Sequence, residues 1–183
     1  MSESERKGLV ILNTGNGKGK TTAALGLVLR AVGHKMRVMI VQFIKGNFHY
    51  GELRSIQKLA PEVEISPLGR GCITVVCGRP SQASEAEHRQ AALEAFQYAK
   101  EVIHSDRYDL VVLDEITYLV NFGFLTVEDL LELIRTRPSH LHLVLTGRNA
   151  HPALIEASDL VTEMREVKHP HQQGVKMQRG IEF

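Results

Sequence analysis

The sequence predicts a single α/β domain with a doubly wound, mainly parallel six-stranded sheet. The chain has 183 residues, a length typical of one domain. It contains six short apolar runs, and helical patterns separate several of them. Strands that alternate with helices are typical of a parallel sheet covered on both faces. No repeat or linker divides the chain, so we expect residues 9–183 to form the domain, after a short polar arm at residues 1–8.

The six predicted strands are mostly continuous apolar runs, with little alternation between apolar and polar residues. This pattern indicates strands whose two faces are both covered by helices. The predicted strands span residues 9–13, 37–42, 63–67, 110–114, 141–146 and 160–166.

Three segments show helical patterns. They span residues 21–32, 84–104 and 126–136. The first is apolar almost all round and stops at Gly33, which suits a left-handed cap, so we expect a helix buried beneath the sheet. The second begins with Ser84 three residues before Glu87, the spacing of a capping box. The third opens with Thr126 and halts before Pro138.

Composition excludes several classes of partner. The chain carries 22 Lys and Arg against 21 Asp and Glu, a net charge of +1, so no global field attracts nucleic acid or an anionic membrane. No apolar run approaches the roughly 20 residues that span a bilayer, and MSESERKG contains no apolar signal core. We therefore expect a cytoplasmic protein. Neither the two cysteines nor the nine histidines show a convincing metal-ligand spacing, and we expect ordinary reduced thiols.

Residues 14–22 read TGNGKGKTT and stand between the first predicted strand and the first predicted helix. Glycines let a backbone fold so that its N–H groups point at phosphate oxygens, and the helix N-terminus adds a favourable dipole. Lys20 is then placed to bind phosphate and the Thr21 hydroxyl to ligate magnesium. Thr14 replaces the first glycine of the strict pattern. A simple connecting turn is the alternative, but the GKTT core favours a phosphate loop.

Two further segments are predicted to reach the same edge of the sheet. LVVLDE, at residues 110–115, is a buried strand that ends in Asp114 and Glu115, and acids in this position commonly hold magnesium. LTGRNAHP, at residues 145–152, follows another predicted strand. It brings Arg148, whose planar guanidinium can clamp phosphates, although a solvated surface arginine is the alternative.

Together these residues resemble the ATP-dependent corrinoid adenosyltransferases of the P-loop type, which make adenosylcobalamin. The likeness extends over nearly the whole chain, and a set of motifs in this order is far more specific than a phosphate loop alone. The motifs are TGNGKGKTTAALG at 14–26, VQFIKG at 41–46, VVLDEITY at 111–118, RPSHLHLVLTGRNAHPALIEASDLVTEM at 137–164, and KHPHQQGVKMQRGIEF from 168.

The resemblance implies a fold of the P-loop NTPase, recombinase-like type and an uncommon use of ATP. In that family the cobalt of cob(I)alamin, or of a related corrinoid, attacks the 5′ carbon of ATP, and the whole triphosphate leaves. The nucleotide lies on the loop in reversed order. The resemblance also implies magnesium (or manganese), a homodimer and a separate electron donor such as a flavoprotein.

The resemblance assigns roles to residues one by one. Magnesium is expected on Thr21 and Glu115, with Asp114 as a further candidate, and Arg148 is expected to contact the phosphates. Arg30 corresponds to a residue on the nucleoside side, although a solvated helix-end arginine is equally expected. The ATP-binding residues are then Thr14, Gly15, Asn16, Gly17, Lys18, Gly19, Lys20, Thr21, Thr22, Arg30 and Arg148. The catalytic set is Lys20, Thr21, Glu115 and Arg148.

One segment departs from the family pattern. Many members carry G-x-G-F-T-W, whose aromatic residues help to remove the lower cobalt ligand, whereas this chain reads GRGCIT at 69–74 and has no tryptophan. Cys72, Ile73 and Thr74 are the corrinoid-side candidates. Ile73 could exclude a ligand by its bulk, or Cys72 could approach cobalt as a soft ligand. We favour exclusion, because a strong thiolate ligand would oppose formation of the low-valent nucleophile.

Two other functional classes fit a phosphate loop. A P-loop ATPase or small-molecule kinase would release ADP, whereas an adenosyltransferase releases intact triphosphate. A nucleic-acid motor shares the architecture, but the near-neutral charge and the absence of basic stripes argue against it.

Overall fold

The structure is a computed structural model that describes residues 7–46, 50–71 and 83–182. Its strands are β1 (Val10–Thr14), β2 (Val38–Gln42), β3 (Val63–Pro67), β4 (Leu110–Asp114), β5 (His142–Thr146) and β6 (Leu160–Glu163). Its helices are α1 (Lys20–Val32), α2 (Gly51–Ile56), α3 (Glu85–Ile103), α4 (Thr117–Asn121), α5 (Val127–Thr136) and α6 (Pro152–Glu156), with 3-10 turns at Gln57–Leu59 and Pro170–Gln173.

The six strands form one parallel sheet in the order β3-β2-β4-β5-β1-β6. The predicted doubly wound α/β architecture is confirmed. Because every strand runs in the same direction, all six carboxyl ends meet at one edge of the sheet. In open α/β sheets this edge is where ligands bind.

Two apolar cores lie on the two faces of the sheet, because successive strand residues point in opposite directions. Ile11 packs with Ala24 and Val28 of α1 in one core, which also contains Ile56 of α2. Leu12 belongs to the other core, together with buried residues of α3 and α5. Strands covered on both sides account for the continuous apolar runs in the sequence.

Helix α1 differs from its prediction in two respects. Only Ala24, Val28 and Ala31 are buried, and Leu29 is 61% exposed, so one face packs on the sheet and the other meets solvent. The expected left-handed cap at Gly33 is also wrong, because its φ is −58°. The chain makes further turns after the helix and adopts positive φ two residues later, at Lys35.

Two predicted helix starts are confirmed by their hydrogen bonds. The Ser84 hydroxyl accepts from the backbone N–H of Glu87, and the Glu87 carboxylate accepts from the N–H of Ser84. Thr126 and Asp129 form the same capping box at the start of α5. The short helices α2, α4 and α6 were not predicted, since five or six residues are too few to show a helical period.

Strand β6 ends at Glu163 rather than at residue 166 and is exposed at all four positions. It pairs only with β1 and forms an edge of the sheet. Within the residues that the structure describes, no helix combines the length and apolar character needed to cross a bilayer.

Candidate active site

The carboxyl edge of the sheet collects the segments that the sequence singles out. Strand β1 leads into the phosphate loop, and β4 ends at Asp114 with Glu115 next in the chain. Strand β5 is followed by Arg148, and β2 is followed by Lys45. The order of the strands places β4 and β5 between β2 and β1, so these four segments surround one site.

The phosphate loop is held by its own lysine. The Lys20 Nζ atom donates to the carbonyl oxygens of Gly15 and Gly17, at 2.7 Å each. Burial and the nearby Arg148 guanidinium lower the pKa of Lys20, and Glu115 and Asp114 partly offset this. The ammonium therefore lies at the loop, in reach of a phosphate that displaces the two carbonyls.

The other side of the loop packs against the chain that follows β6. Gly17 N–H donates to the Met164 carbonyl at 2.7 Å, and Met164 N–H donates to the Thr14 carbonyl at 2.8 Å. Gly15 has φ +92°, and a Cβ there would overlap the Met164 carbonyl. Glycine is needed at this position both for the backbone conformation and for the close approach.

Asp114 is the centre of a buried hydrogen-bond network. Its side chain is only 1% exposed. Oδ1 accepts from the Thr21 hydroxyl at 2.8 Å and from the Thr146 hydroxyl at 2.7 Å. Oδ2 accepts from Gln42 Nε2 at 3.2 Å and pairs with Lys45 Nζ at 3.0 Å. An ionised carboxylate offers about four acceptor positions, and here all four are in use.

Lys45 is a buried cation at this site. It is 8% exposed, and its Nζ lies 3.3 Å from Glu52 Oε1 and 5.0 Å from the centre of the Tyr50 ring. Burial by itself would lower the pKa of Lys45, but the Asp114 and Glu115 carboxylates outweigh burial and raise it. Lys45 is therefore charged and balances the buried Asp114.

Glu115 contrasts with its neighbour. It is partly buried and has a positive φ of 66°, and its N–H donates to the Thr146 hydroxyl at 2.8 Å. Burial and the Asp114 charge raise the pKa of Glu115 to about 7. Within the described part of the chain, no side chain donates a hydrogen bond to its carboxylate. Its oxygens are free to act as ligands, whereas those of Asp114 are not.

Arg148 is positioned through its backbone. Its carbonyl accepts from the Thr117 hydroxyl at 2.8 Å and from Asn121 Nδ2 at 3.0 Å. Gly147 has φ +144°, and a Cβ there would overlap the Thr117 hydroxyl. The Arg148 side chain remains exposed and lies near Lys20 and Glu115. Its charge lowers the pKa of Lys20 and offsets part of the rise in the pKa of Glu115.

The family of this chain follows from its sequence match to a known family model. Residues 6–183 match the family model described as ATP:corrinoid adenosyltransferase BtuR/CobO/CobP. The chain belongs to the ATP:corrinoid adenosyltransferase family. The resemblance drawn from the motifs is confirmed.

Relatives named as corrinoid adenosyltransferases agree with this placement, and a solved structure resembles the fold. A corrinoid adenosyltransferase of Sinorhizobium sp is 40% identical over 184 residues, which cover 100% of this chain and 83% of that protein. Corrinoid adenosyltransferase CobA of Salmonella typhimurium is 38% identical over 98% of this chain and 87% of its own length. The flagellar accessory protein FlaH from Methanocaldococcus jannaschii aligns with a TM-score of 0.57 and 12% identity, over 86% of this chain and 71% of that one, which supports the fold alone.

The structure gathers most of the residues that the family resemblance assigned. Lys20, Thr21, Asp114 and Glu115 meet at one place, with Arg148 beside them. The remaining loop residues occupy the loop itself, and Lys18 forms a partly exposed ion pair with Glu182 at 3.5 Å. The other predicted ATP-binding residues of the loop are Thr14, Gly15, Asn16, Gly17, Gly19 and Thr22.

One assigned residue is not brought to the site. Arg30 lies ten residues beyond Lys20 along α1, which places it about 15 Å from the loop along the helix axis. Its predicted contact with the nucleoside stays a prediction. Cys72, Ile73 and Thr74 lie outside the described residues.

An open cavity of about 340 Å³ adjoins the phosphate loop on the side away from Asp114. It is lined by Thr14, Gly15, Asn16, Asn149, Ala150, Ile155, Val161 and Glu163. The cavity extends the site of this adenosyltransferase family member from the loop to the edge strand.

A magnesium ion fits the donor set, because hydroxyl and carboxylate oxygens are the ligands that Mg²⁺ prefers. Thr21 provides a hydroxyl oxygen and Glu115 a carboxylate. Burial and Asp114 disfavour the charge on Glu115, and a bound cation would stabilise that charge. Among the described residues, no group of three or more His, Cys, Asp and Glu side chains forms a metal site. Phosphate oxygens and water would therefore have to complete the coordination shell.

Sequence reasoning did not assign Gln42, Lys45 or Thr146, although all three contact Asp114. Gln42 and Lys45 belong to VQFIKG, one of the motifs on which the family resemblance rests, but the resemblance assigned no role to either residue. Thr146 immediately precedes the GR of the LTGR motif. A signal was thus present in the family motifs, but the shared partner appears only in three dimensions.

Proposed function

We propose that the chain transfers the 5′-deoxyadenosyl group of ATP to the cobalt of cob(I)alamin or of a related corrinoid, and releases triphosphate. The observation that carries this proposal is the contact between the phosphate loop and β4, where the Thr21 hydroxyl donates to Asp114 at 2.8 Å. This hydrogen bond holds the proposed triphosphate cradle beside the acids. The chain also belongs to a family named for this reaction.

The reaction is a substitution at the 5′ carbon of ATP. The cobalt electron pair forms the cobalt–carbon bond, the bond between C5′ and the phosphate oxygen breaks, and its electron pair leaves with the triphosphate. Cobalt is formally oxidised from Co(I) to Co(III). Because negative charge gathers on the leaving group, fixed cations and N–H donors should lower the barrier, each by about 3 kcal/mol.

Lys20 and Arg148 are the cations proposed for the leaving group. Lys20 donates to the Gly15 and Gly17 carbonyls, and these hydrogen bonds can be exchanged for bonds to phosphate oxygens without moving the loop. Arg148 has a fixed backbone and an exposed guanidinium, which suits a residue that reaches across a bound triphosphate. The loop N–H groups complete the cradle.

Thr21 and Glu115 would hold magnesium, or manganese, in this site. When bound, such an ion neutralises part of the triphosphate charge. Asp114 acts through Thr21: it accepts a hydrogen bond from the Thr21 hydroxyl, so the oxygen lone pairs of Thr21 remain available for a ligand. The full hydrogen-bond shell of Asp114 supports Glu115 over Asp114 as the direct ligand.

The corrinoid is proposed to lie toward the GRGCIT segment. The described start of this segment follows β3, and a Cβ on Gly69 would overlap the Phe43 carbonyl. Gly46 approaches Gly71 as closely, so the segment starts against the loop that carries Lys45. Ile73 is proposed to keep water and the lower base from cobalt. The homodimer, the flavoprotein-type electron donor and the cytoplasmic location stay predictions.

An anaerobic assay with chemically reduced corrinoid and ATP tests the function. We expect the absorption of a cobalt–carbon product, together with one equivalent of intact triphosphate by ion-exchange chromatography. The variant Lys58→Ala, in the exposed 3-10 turn Gln57–Leu59, is the control and should match the wild type. Release of ADP without a cobalt–carbon product would instead indicate an ATPase or kinase.

A further inference from the structure

The acids at the end of β4 already have a counter-ion of their own. Lys45 Nζ lies 3.0 Å from Asp114 Oδ2, and the two side chains are 10% and 1% exposed. Glu52 lies 3.3 Å from the same ammonium on its other side and is also largely buried. Water and salt screen groups this deep less than exposed ones, so the Lys45 charge affects neighbouring groups more than an exposed lysine would.

This position matters for any divalent cation that approaches Thr21 and Glu115. Thr21 hydrogen-bonds to the same carboxylate that Lys45 neutralises, so a cation on Thr21 and the ammonium would lie on two sides of one carboxylate. Like charges repel more in a partly buried site than they do in water. Lys45 also pairs with Glu52, so of the two adjacent acids at the end of β4 it is Glu115 that is left to attract the cation.

We propose that Lys45 is the resident counter-ion of Asp114 and keeps divalent cations from binding until they arrive together with ATP. The inference rests on the proposed metal site at Thr21 and Glu115. It assigns a function to the lysine of VQFIKG: the ammonium makes the site a poor metal site alone and a good one when phosphate oxygens supply the missing charge. Mg²⁺ commonly binds through one or two carboxylates plus substrate phosphates, which fits this order.

The test measures Mn²⁺ binding, because the paramagnetic-resonance signal of free Mn²⁺ disappears when the ion binds. The full chain is titrated with Mn²⁺ without ATP, and again with ATP in the absence of corrinoid. The main variant is Lys45→Gln, which removes the charge and keeps an N–H donor on a slightly shorter side chain. Lys45→Met is the second variant, and circular-dichroism melting confirms that each protein is folded.

We expect Lys45→Gln to bind Mn²⁺ at least tenfold more tightly than the wild type when ATP is absent. Lys45→Arg, which retains the charge, should bind as weakly as the wild type. Gln42→Met removes a neutral donor from the same Asp114 oxygen and should change the affinity by less than threefold. Lys58→Met, on the exposed 3-10 turn, should have no effect.

The outcomes separate this inference from the proposed function. If the wild type binds no Mn²⁺ even with ATP, the metal site itself is wrong. If it binds Mn²⁺ with ATP, but Lys45→Gln and Lys45→Met do not tighten binding without ATP, only the counter-ion role is overturned. Equal tightening by Gln42→Met would also overturn that role, because an opened acceptor position would then explain the effect without charge.

Discussion

The inner and outer sides of the phosphate loop are built differently. On the inner side, Gln42, Asp114 and Thr146, from three adjacent strands, form a buried network with Lys45. On the outer side, the loop packs against edge strand β6 and the chain after it, where most residues are exposed. We refer to these as the inner wall and the outer rim.

The inner wall is more preorganised than the outer rim. In the inner wall, each donor around Asp114 has a fixed partner at low exposure, so breaking one contact leaves a buried group unpaired. In the outer rim, backbone hydrogen bonds and the partly exposed Lys18–Glu182 ion pair hold the loop. Water can replace these contacts when they break. Substitutions should therefore have large effects on the inner wall and small ones on the rim.

The largest effect is expected for Asp114→Asn. The new amide would place an NH2 group against donors that now bond to the carboxylate, and it would leave Lys45 with the less buried Glu52 as its acidic partner. Breaking a buried ion pair by removing one partner costs about 3–5 kcal/mol of the free energy of unfolding. Urea denaturation measures this. Glu163→Gln, at the exposed end of β6, is the matched control and should cost less than about 0.5 kcal/mol. Equal costs would contradict the distinction between wall and rim.

Next in size is Lys20→Ala. It removes a cation from the departing triphosphate but leaves the inner wall intact, so turnover should fall by roughly a hundredfold or more, about 3 kcal/mol in transition-state terms. The free energy of unfolding should change by about 1 kcal/mol, because the ammonium bonds only to its own loop. Steady-state kinetics at saturating ATP measures the first effect. Turnover close to the wild type would overturn the role of this lysine.

Glu115→Gln should separate the two neighbouring acids. The amide keeps the size of the side chain and removes a charge that burial and Asp114 already disfavour, so the free energy of unfolding should change by less than about 1 kcal/mol. Turnover should nevertheless drop by roughly tenfold and need more magnesium, since a proposed ligand is lost. Magnesium titrations of the reaction rate measure this. An unchanged magnesium requirement would show that Glu115 does not ligate the ion.

The same distinction explains how far the sequence predicts the structure. The four central strands are predicted within one residue, because each is a mostly continuous apolar run covered on both faces. Edge strand β3 is predicted at its observed bounds although its residues are mixed and only Val63 is buried. Edge strand β6 is predicted too long, because its residues are all exposed and mixed, so composition does not mark where the strand ends. The exposed side of α1 was missed because apolar residues such as Leu29 occur on its solvent face.

The site shows a similar division. The phosphate loop and the strand ending in Asp114 are local patterns, and the sheet topology alone brings them to one edge. Gln42 contacts Asp114 across 72 sequence positions, and no local pattern records such a partner. Lys45 looks like an ordinary loop lysine until its burial is known. Long-range polar partners are therefore the part of the site that sequence reasoning could not supply.

The smallest effect is expected on the rim, for Glu182→Gln. The Glu182 carboxylate lies 3.5 Å from Lys18, and the two side chains are 15% and 43% exposed. An ion pair that is open to solvent on the lysine side is worth about 1 kcal/mol. Because the carboxylate competes with phosphate for Lys18, its removal should lower the KM for ATP by about two- to fivefold and leave kcat unchanged. The difference should vanish at about 0.5 M salt, which screens exposed charges. Glu166→Gln is the matched control: it lies in the same segment, accepts only from Gln172 among the described residues, and should leave KM unchanged. A lower kcat in Glu182→Gln would contradict this expectation. It would mean that the outer rim is as preorganised as the inner wall, because an ion pair screened by solvent does not stabilise a transition state.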